Sequence, residues 1–111
     1  MESIKKIFII NQNETIEKAL QVITENHKGV VIIVDNDNKL MGVASDGDIR
    51  RGLVHGSTIH TPINKVMNIN CVYLTVNDQA QAEAIMKDNL AINLIPIVNE
   101  KNQLVDIVIR K

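Results

Sequence analysis

The feature that most limits how this 111-residue chain can fold is an internal repeat. Val72-Tyr73-Leu74-Thr75 matches Ile7-Phe8-Ile9-Ile10 at an offset of 65. Leu94-Ile95-Pro96-Ile97-Val98-Asn99 matches Val30 to Asp35, and Gln103 to Val108 matches Lys39 to Ala44, both at an offset of 64. A chance match does not hold over several elements in order, so the chain carries two copies of one supersecondary unit.

The first copy reads β-α-β-β-α. Ile7 to Ile10 is a short extended run, and Asn11 to Thr15 is polar and offers helix caps. Ile16, Ala19, Leu20 and Ile23 recur at helical spacing, with Glu17, Lys18, Gln21 and Glu25 opposite. Gly29 suits a left-handed cap after that helix. Val30 to Val34 is a continuous β-branched run, the mark of a strand buried on both faces. The turn Asp35 to Lys39 is so short that Leu40 to Ala44 must return antiparallel. A second helix runs from about Asp46 to His55-Gly56.

This reading places repeat 1 at residues 1–56, a connector at 57–71 and repeat 2 at 72–111. Pro62 is placed to open a helical turn over Ile63 to Met67. In repeat 2, Asn77-Asp78 is expected to cap a helix whose buried face is Ala82, Ile85, Met86 and Leu90. Its closing helix is expected beyond Lys111, in a larger protein. Neither small sheet can bury its own apolar face, so the fold class is α+β, with the two units packed sheet to sheet about a pseudo-two-fold axis. The strand-to-helix junctions then lie beside the groove between the copies, where ligands tend to settle.

Composition removes several functions. Aromatics are 2% (Phe8 and Tyr73), too few for the stacking platforms of single-stranded nucleic-acid binders. The charge of −1, from 12 basic and 13 acidic residues, gives no field to attract DNA, RNA or an anionic membrane. No apolar run approaches a membrane span or the core of a signal peptide. The lone Cys71 allows no internal disulfide, and a cytoplasmic location is expected. His27, His55 and His60 show no metal-ligand spacing, and no catalytic triad order or phosphate-cradling glycine loop occurs. The chain is therefore not expected to be an enzyme, to hold a metal or to keep a resident cofactor.

Gly42 to Arg51 is the stretch with the most chemistry. An apolar strand runs into Ser45-Asp46-Gly47-Asp48 and then into a helix. Free N–H groups at such a helix start suit a phosphate. Ser45 with Asp48 three residues on also forms the pattern of a capping box, and one side chain can serve both roles. Asp46 and Asp48 repel a phosphate, so an anionic ligand requires Arg50 or Arg51 to turn inward.

The tandem repeat, the strand end Ile33-Val34-Asp35, and Gly-x-x-Ser-x-x-Asp at Gly42, Ser45 and Asp48 together resemble the CBS domain pair, or Bateman module, over essentially the whole chain. Lys5-Lys6-Ile7, Ser45 to Leu53 and Pro62 to Asn68 resemble the pair found ahead of bacterial sugar-phosphate nucleotidyltransferase domains. Part of that pattern is also similar to the pairs of sugar-phosphate isomerases. The resemblance implies a regulatory module whose cleft binds AMP, ADP, ATP or S-adenosylmethionine. It implies that Ser45 meets phosphate or ribose, that Asp48 accepts from ribose hydroxyls, and that Gly42 lets ligand or neighbouring backbone approach. The implied binding set is Gly42, Ser45, Asp46, Asp48, Ile9, Asn11, Gly29 and Val30, with Gln12 and Val31 beside it. The expected partners are the adenine nucleotide, a catalytic domain following Lys111 and a second copy in a homodimer. Repeat 2 departs from the pattern, with Asp106 at the glycine position and Ile109 at the serine position. Gly29 stands where an arginine is frequent, and its counterpart is Asn93. A single asymmetric site is therefore expected. The competing reading is a structural dimerisation module without a ligand.

Overall fold

Each repeat builds a three-stranded sheet from one parallel and one antiparallel pair. The computed structural model describes residues 6–110; Met1 to Lys5, including the Lys5 of the resemblance, and Lys111 lie outside the described residues. Repeat 1 contains β1 (Ile9–Asn11), α1 (Ile16–Asn26), β2 (Val30–Val34), β3 (Leu40–Ser45) and α2 (Asp46–Val54). A 3-10 turn at Ile63–Lys65 leads to β4 (Leu74–Thr75), a second 3-10 segment (Val76–Gln81), α3 (Ala82–Asp88), β5 (Leu94–Val98) and β6 (Leu104–Ile109). The sheet orders are β1-β2-β3 and β4-β5-β6.

The strand register corrects the repeat offset. Ile10 pairs with Ile33 and Leu74 with Ile97, so both strands of the parallel pair are displaced by 64. Leu74 is the counterpart of Ile10, and Cys71-Val72 of Ile7-Phe8. A short apolar run carries no mark that fixes its alignment to one residue, whereas the ladder does. Both antiparallel ladders also slip at equivalent places, Ile33/Val34 and Ile97/Val98.

The turns show the symmetry most directly. Asp35 Oδ1 accepts from the N–H groups of Asp37 and Lys39, and Asn99 Oδ1 from those of Lys101 and Gln103. Asn38 and Asn102 sit in the left-handed region at φ 64° and 63°, which asparagine tolerates. Leu40 N–H donates to Asn102 O and Leu104 N–H to Asn38 O, both at 2.9 Å. The pseudo-two-fold axis passes between these turns.

Alternation along the central strands makes the layers. Val31 and Ile33 face α1 and α2, joining Ile16, Ala19, Ile23 and Ile49 in one core. Ile32 and Val34 face the other way, against Leu94, Val98 and Leu104 of the second sheet. Ile95 and Ile97 pack on Ala82 and Met86 of α3. The connector is built into the first of these cores. Ile63 is fully buried there, its N–H donates to Glu14 O, and Ile16 N–H donates to Thr61 O.

Three local expectations need correction. His27, not Gly29, is the left-handed cap of α1, at φ 59° with its N–H on Ile23 O; Gly29 takes its own left-handed turn at φ 74°. Asn77 and Asp78 do not cap an α-helix: they lie in the 3-10 segment, and α3 starts without a side-chain cap. Leu90 falls past the end of α3 and is 79% exposed, because Asn89 leaves the helix in an extended conformation. Val22, passed over in the helical stripe of α1, is buried. Among the described residues, no helix is long and apolar enough to cross a membrane.

Candidate ligand-binding cleft

The β3–α2 junction forms because Ser45 ends the strand in an extended conformation and starts the helix as its cap. Ser45 Oγ accepts from Asp48 N–H at 3.1 Å, and Asp48 Oδ2 accepts from Ser45 N–H at 3.0 Å. The capping box is thus complete, and it satisfies two donors that the helix end would otherwise leave open. Arg51 Nη2 donates to the second oxygen, Asp48 Oδ1, at 2.6 Å. Arg51 therefore holds the carboxylate from the helix side, while Arg50 is exposed. Ser45 only accepts in this arrangement, so its hydroxyl proton can still be donated.

A cleft of about 300 Å³ opens in front of this junction, between the repeats. Repeat 1 contributes Val30, Val43, Ser45 and Asp48. The approach to β4 contributes Asn68, Asn70, Cys71 and Val72, and the turn from α3 into β5 contributes Asn89, Ala91, Ile92, Asn93 and Leu94. A larger hollow of about 450 Å³ lies around Thr75, Val76, Asn99 and Lys101, and it contains none of the residues expected at the site.

Of the expected set, Val30, Ser45 and Asp48 line the cleft. Gly42 stands behind it. A Cβ there would lie 2.6 Å from Asn68 O, so the glycine admits neighbouring backbone. Asn68 and Val43 exchange N–H···O bonds of 2.7 and 3.1 Å across this contact, which seats the approach to β4 against β3. Asp46 is exposed, with its Oδ2 against Gly29 and its N–H on Gly29 O; neither residue is among the cleft lining. Ile9 packs into the core between the sheets. Asn11 lies opposite Val34, at the far end of β2 from Val30, and its Nδ2 donates to Asn36 Oδ1 at 2.8 Å.

The walls from repeat 2 were missed for a geometric reason. The junction of one repeat is closed by the strand approach and helix-to-strand turn of the other, because the pseudo-two-fold axis crosses them. The offset of 64 carries the signal: it maps Gly29-Val30 to Asn93-Leu94 and Ile7-Phe8 to Cys71-Val72, the segments that line the cleft.

Burial pushes the Cys71 thiol above its ordinary value. That lowers its thiolate fraction and suits a wall residue better than a nucleophile. Among the described residues, no group of three or more His, Cys, Asp or Glu side chains is placed to hold a metal ion.

The family model for the CBS domain matches residues 2–55. The arabinose 5-phosphate isomerase GutQ of Escherichia coli K12 is 35% identical over 80 residues, covering 68% of this chain and 24% of the isomerase. The chain thus spans about a quarter of the length of this curated relative. A solved CBS domain pair/ACT domain protein from Thermotoga maritima superposes with a TM-score of 0.76 at 13% identity, over 96% of this chain and 88% of that one. The cytosolic domain of the Mg2+ channel MgtE, solved in complex with ATP, superposes with a TM-score of 0.69 at 24% identity, over 92% and 41% of the two chains. Residues 2–55 match as a CBS domain, repeat 2 reproduces its sheet topology, and the chain has the fold of a CBS domain pair.

Proposed function

We propose that this chain senses an adenosine ligand of the AMP, ADP, ATP or S-adenosylmethionine class in the cleft between its repeats. Occupancy is relayed to an attached catalytic domain. The observation that carries this reading is the cleft itself, where the Ser45–Asp48 junction of repeat 1 meets apolar and carboxamide walls from repeat 2. The Asp48 carboxylate and Ser45 hydroxyl suit ribose hydroxyls, and Val30, Val43, Val72, Ile92 and Leu94 offer aliphatic surface to a purine. The ATP carried by the MgtE neighbour supports the ligand class. The isomerase relative favours an attached sugar-phosphate isomerase-type domain over the nucleotidyltransferase-type domain expected from the sequence. Coupling to that domain is limited to the ligand's differential affinity for two arrangements of the pair.

The completed capping box keeps a second reading in play, because Ser45 and Asp48 are satisfied without any ligand. In that reading the chain is a structural dimerisation module, and exposed Val54 on α2 is part of the contact. Calorimetric titration separates the two. AMP, ADP, ATP and S-adenosylmethionine are titrated to millimolar concentration, and at least one is expected to bind with one site per chain. Asp48→Ala is expected to weaken it by about tenfold, the effect of losing one hydrogen bond to a charged group. Thermal unfolding of the ligand-free variant measures the lost cap separately. No heat with any of the four, together with a concentration-dependent dimer by light scattering, would leave only the structural reading.

A further inference from the structure

Resting on the reading that the cleft takes an adenosine ligand, we propose that it selects by charge. It accepts the nucleoside body, bare, singly phosphorylated or cationic, and rejects polyphosphates. The observation is the chemistry of the lining. Among the described residues that line the cleft there is no Lys, Arg or His, and the only ionisable groups are the Asp48 carboxyl and the Cys71 thiol. The remaining polar groups are the Ser45 hydroxyl and neutral carboxamides.

Those carboxamides are partly committed. Asn68 Oδ1 accepts from Asn70 N–H, Asn89 Oδ1 from Ala91 N–H, and Asn93 Nδ2 donates to Lys28 O. What remains toward a ligand is amide N–H on Asn68 and Asn89, carbonyl oxygen on Asn93 and the carboxamide of Asn70. Such groups read the edge of a purine or a hydroxyl and bring no net charge to a phosphate chain.

Of the cations in the neighbourhood, Arg50 is exposed and stands outside the cleft lining, and the others are engaged elsewhere. Arg51 is paired with Asp48. Lys28 Nζ donates to Arg110 O. The Arg110 guanidinium donates to the carbonyls of Met86, Asn89 and Ile92, behind the wall rather than within it. Turning Arg51 onto a phosphate would strip Asp48 of its partner and leave two negative groups facing each other. At the N-terminus of α2, the Asp46 N–H already serves Gly29 O and the Asp48 N–H serves Ser45 Oγ, and the Asp46 and Asp48 carboxylates flank what is left.

The test is calorimetry in magnesium-free buffer with adenosine, S-adenosylmethionine, AMP and ATP as probes, at low and at moderate salt. Adenosine or S-adenosylmethionine is expected to bind. AMP is expected to exceed ATP by about tenfold, the scale of one close uncompensated charge contact. Salt is expected to leave nucleoside affinity unchanged, since no exposed ion pair forms. Asn70→Lys adds a cation at an exposed wall position that the fold does not use, and is expected to raise ATP affinity relative to adenosine by several-fold. Affinity that rises from adenosine to ATP and falls with salt overturns the proposal while leaving the adenosine reading intact. Absence of binding by all four probes overturns both. An unchanged ATP-to-adenosine ratio in Asn70→Lys counts against charge as the selector.

Discussion

At the end of β3 the chain passes Gly42 and turns through Ser45 into α2; at the equivalent end of β6 it passes Asp106 and reaches Ile109 and Arg110. The backbone pairing is the same in both places, Gly42 opposite Ile33 and Asp106 opposite Ile97. The surroundings are not. Gly42 has the Asn68 backbone at the distance where a side chain would begin, whereas Asp106 extends a side chain that accepts from Gln79 Nε2 at 3.1 Å. The junction of repeat 1 is thus closed over by a strand approach and keeps a capping box open to the cleft. In repeat 2, Ile109 replaces the serine, and Arg110 is spent on the carbonyls at the end of α3. Where the repeats must match to pack, at the turns, their backbone hydrogen bonds and Asx bonds correspond. Where function is proposed, they diverge.

The sharpest way to break this comparison is to remove the asymmetry at residue 42. Gly42→Ala places a Cβ against a backbone oxygen that cannot move without breaking the Val43–Asn68 pairing. It is expected to cost about 3 kcal/mol, the upper end of overpacking, and to lower the unfolding midpoint by roughly 10 °C or more. Asp106→Ala at the matching position is expected to cost less than about 1 kcal/mol, the loss of a part-buried side-chain contact. Equal losses in a thermal-unfolding comparison would mean that the two ends of the sheets are equivalent after all.

A smaller effect sharpens the symmetric half of the comparison. Asn38 Nδ2 donates to Leu104 O and Asn102 Nδ2 to Leu40 O, and both residues hold left-handed backbone. Asn38→Ala and Asn102→Ala each lose that bond and force alanine into an unfavourable region. Each is expected to cost roughly 2 kcal/mol, and the two to agree within about 0.5 kcal/mol. Urea denaturation of both variants checks this; a clear inequality would deny that the axis runs between these turns.

How much of this could be read from residues alone depended on where the information lay. The strands β2 and β3 were legible because Val30 to Val34 and Leu40 to Ala44 are apolar runs around an Asx-rich turn. The repeat was legible, but the featureless Ile7 to Ile10 run let its alignment slip by one residue. The capping box of Ser45 and Asp48 was legible from their spacing, and the same two side chains line the cleft. Gly42 stood out through the resemblance as a place where ligand or neighbouring backbone approaches, and the structure puts the Asn68 backbone there. Asn11 and Ile9 lie off this cleft because the axis, not the chain order, decides which repeat closes which junction. The carboxamide wall, Asn68, Asn70, Asn89 and Asn93, carried no local motif and became visible only once the sheets were set against each other.

The central claim is one asymmetric cleft at the junction of repeat 1. It is tested most directly by following backbone amide NMR signals while AMP is added. The account predicts saturable shifts centred on Ser45 to Asp48, Asn68 to Val72 and Asn89 to Leu94, with a single binding curve and one ligand per chain. Shifts centred instead on Lys28-Gly29 and Asp106 to Arg110, or two equal binding curves, would contradict it.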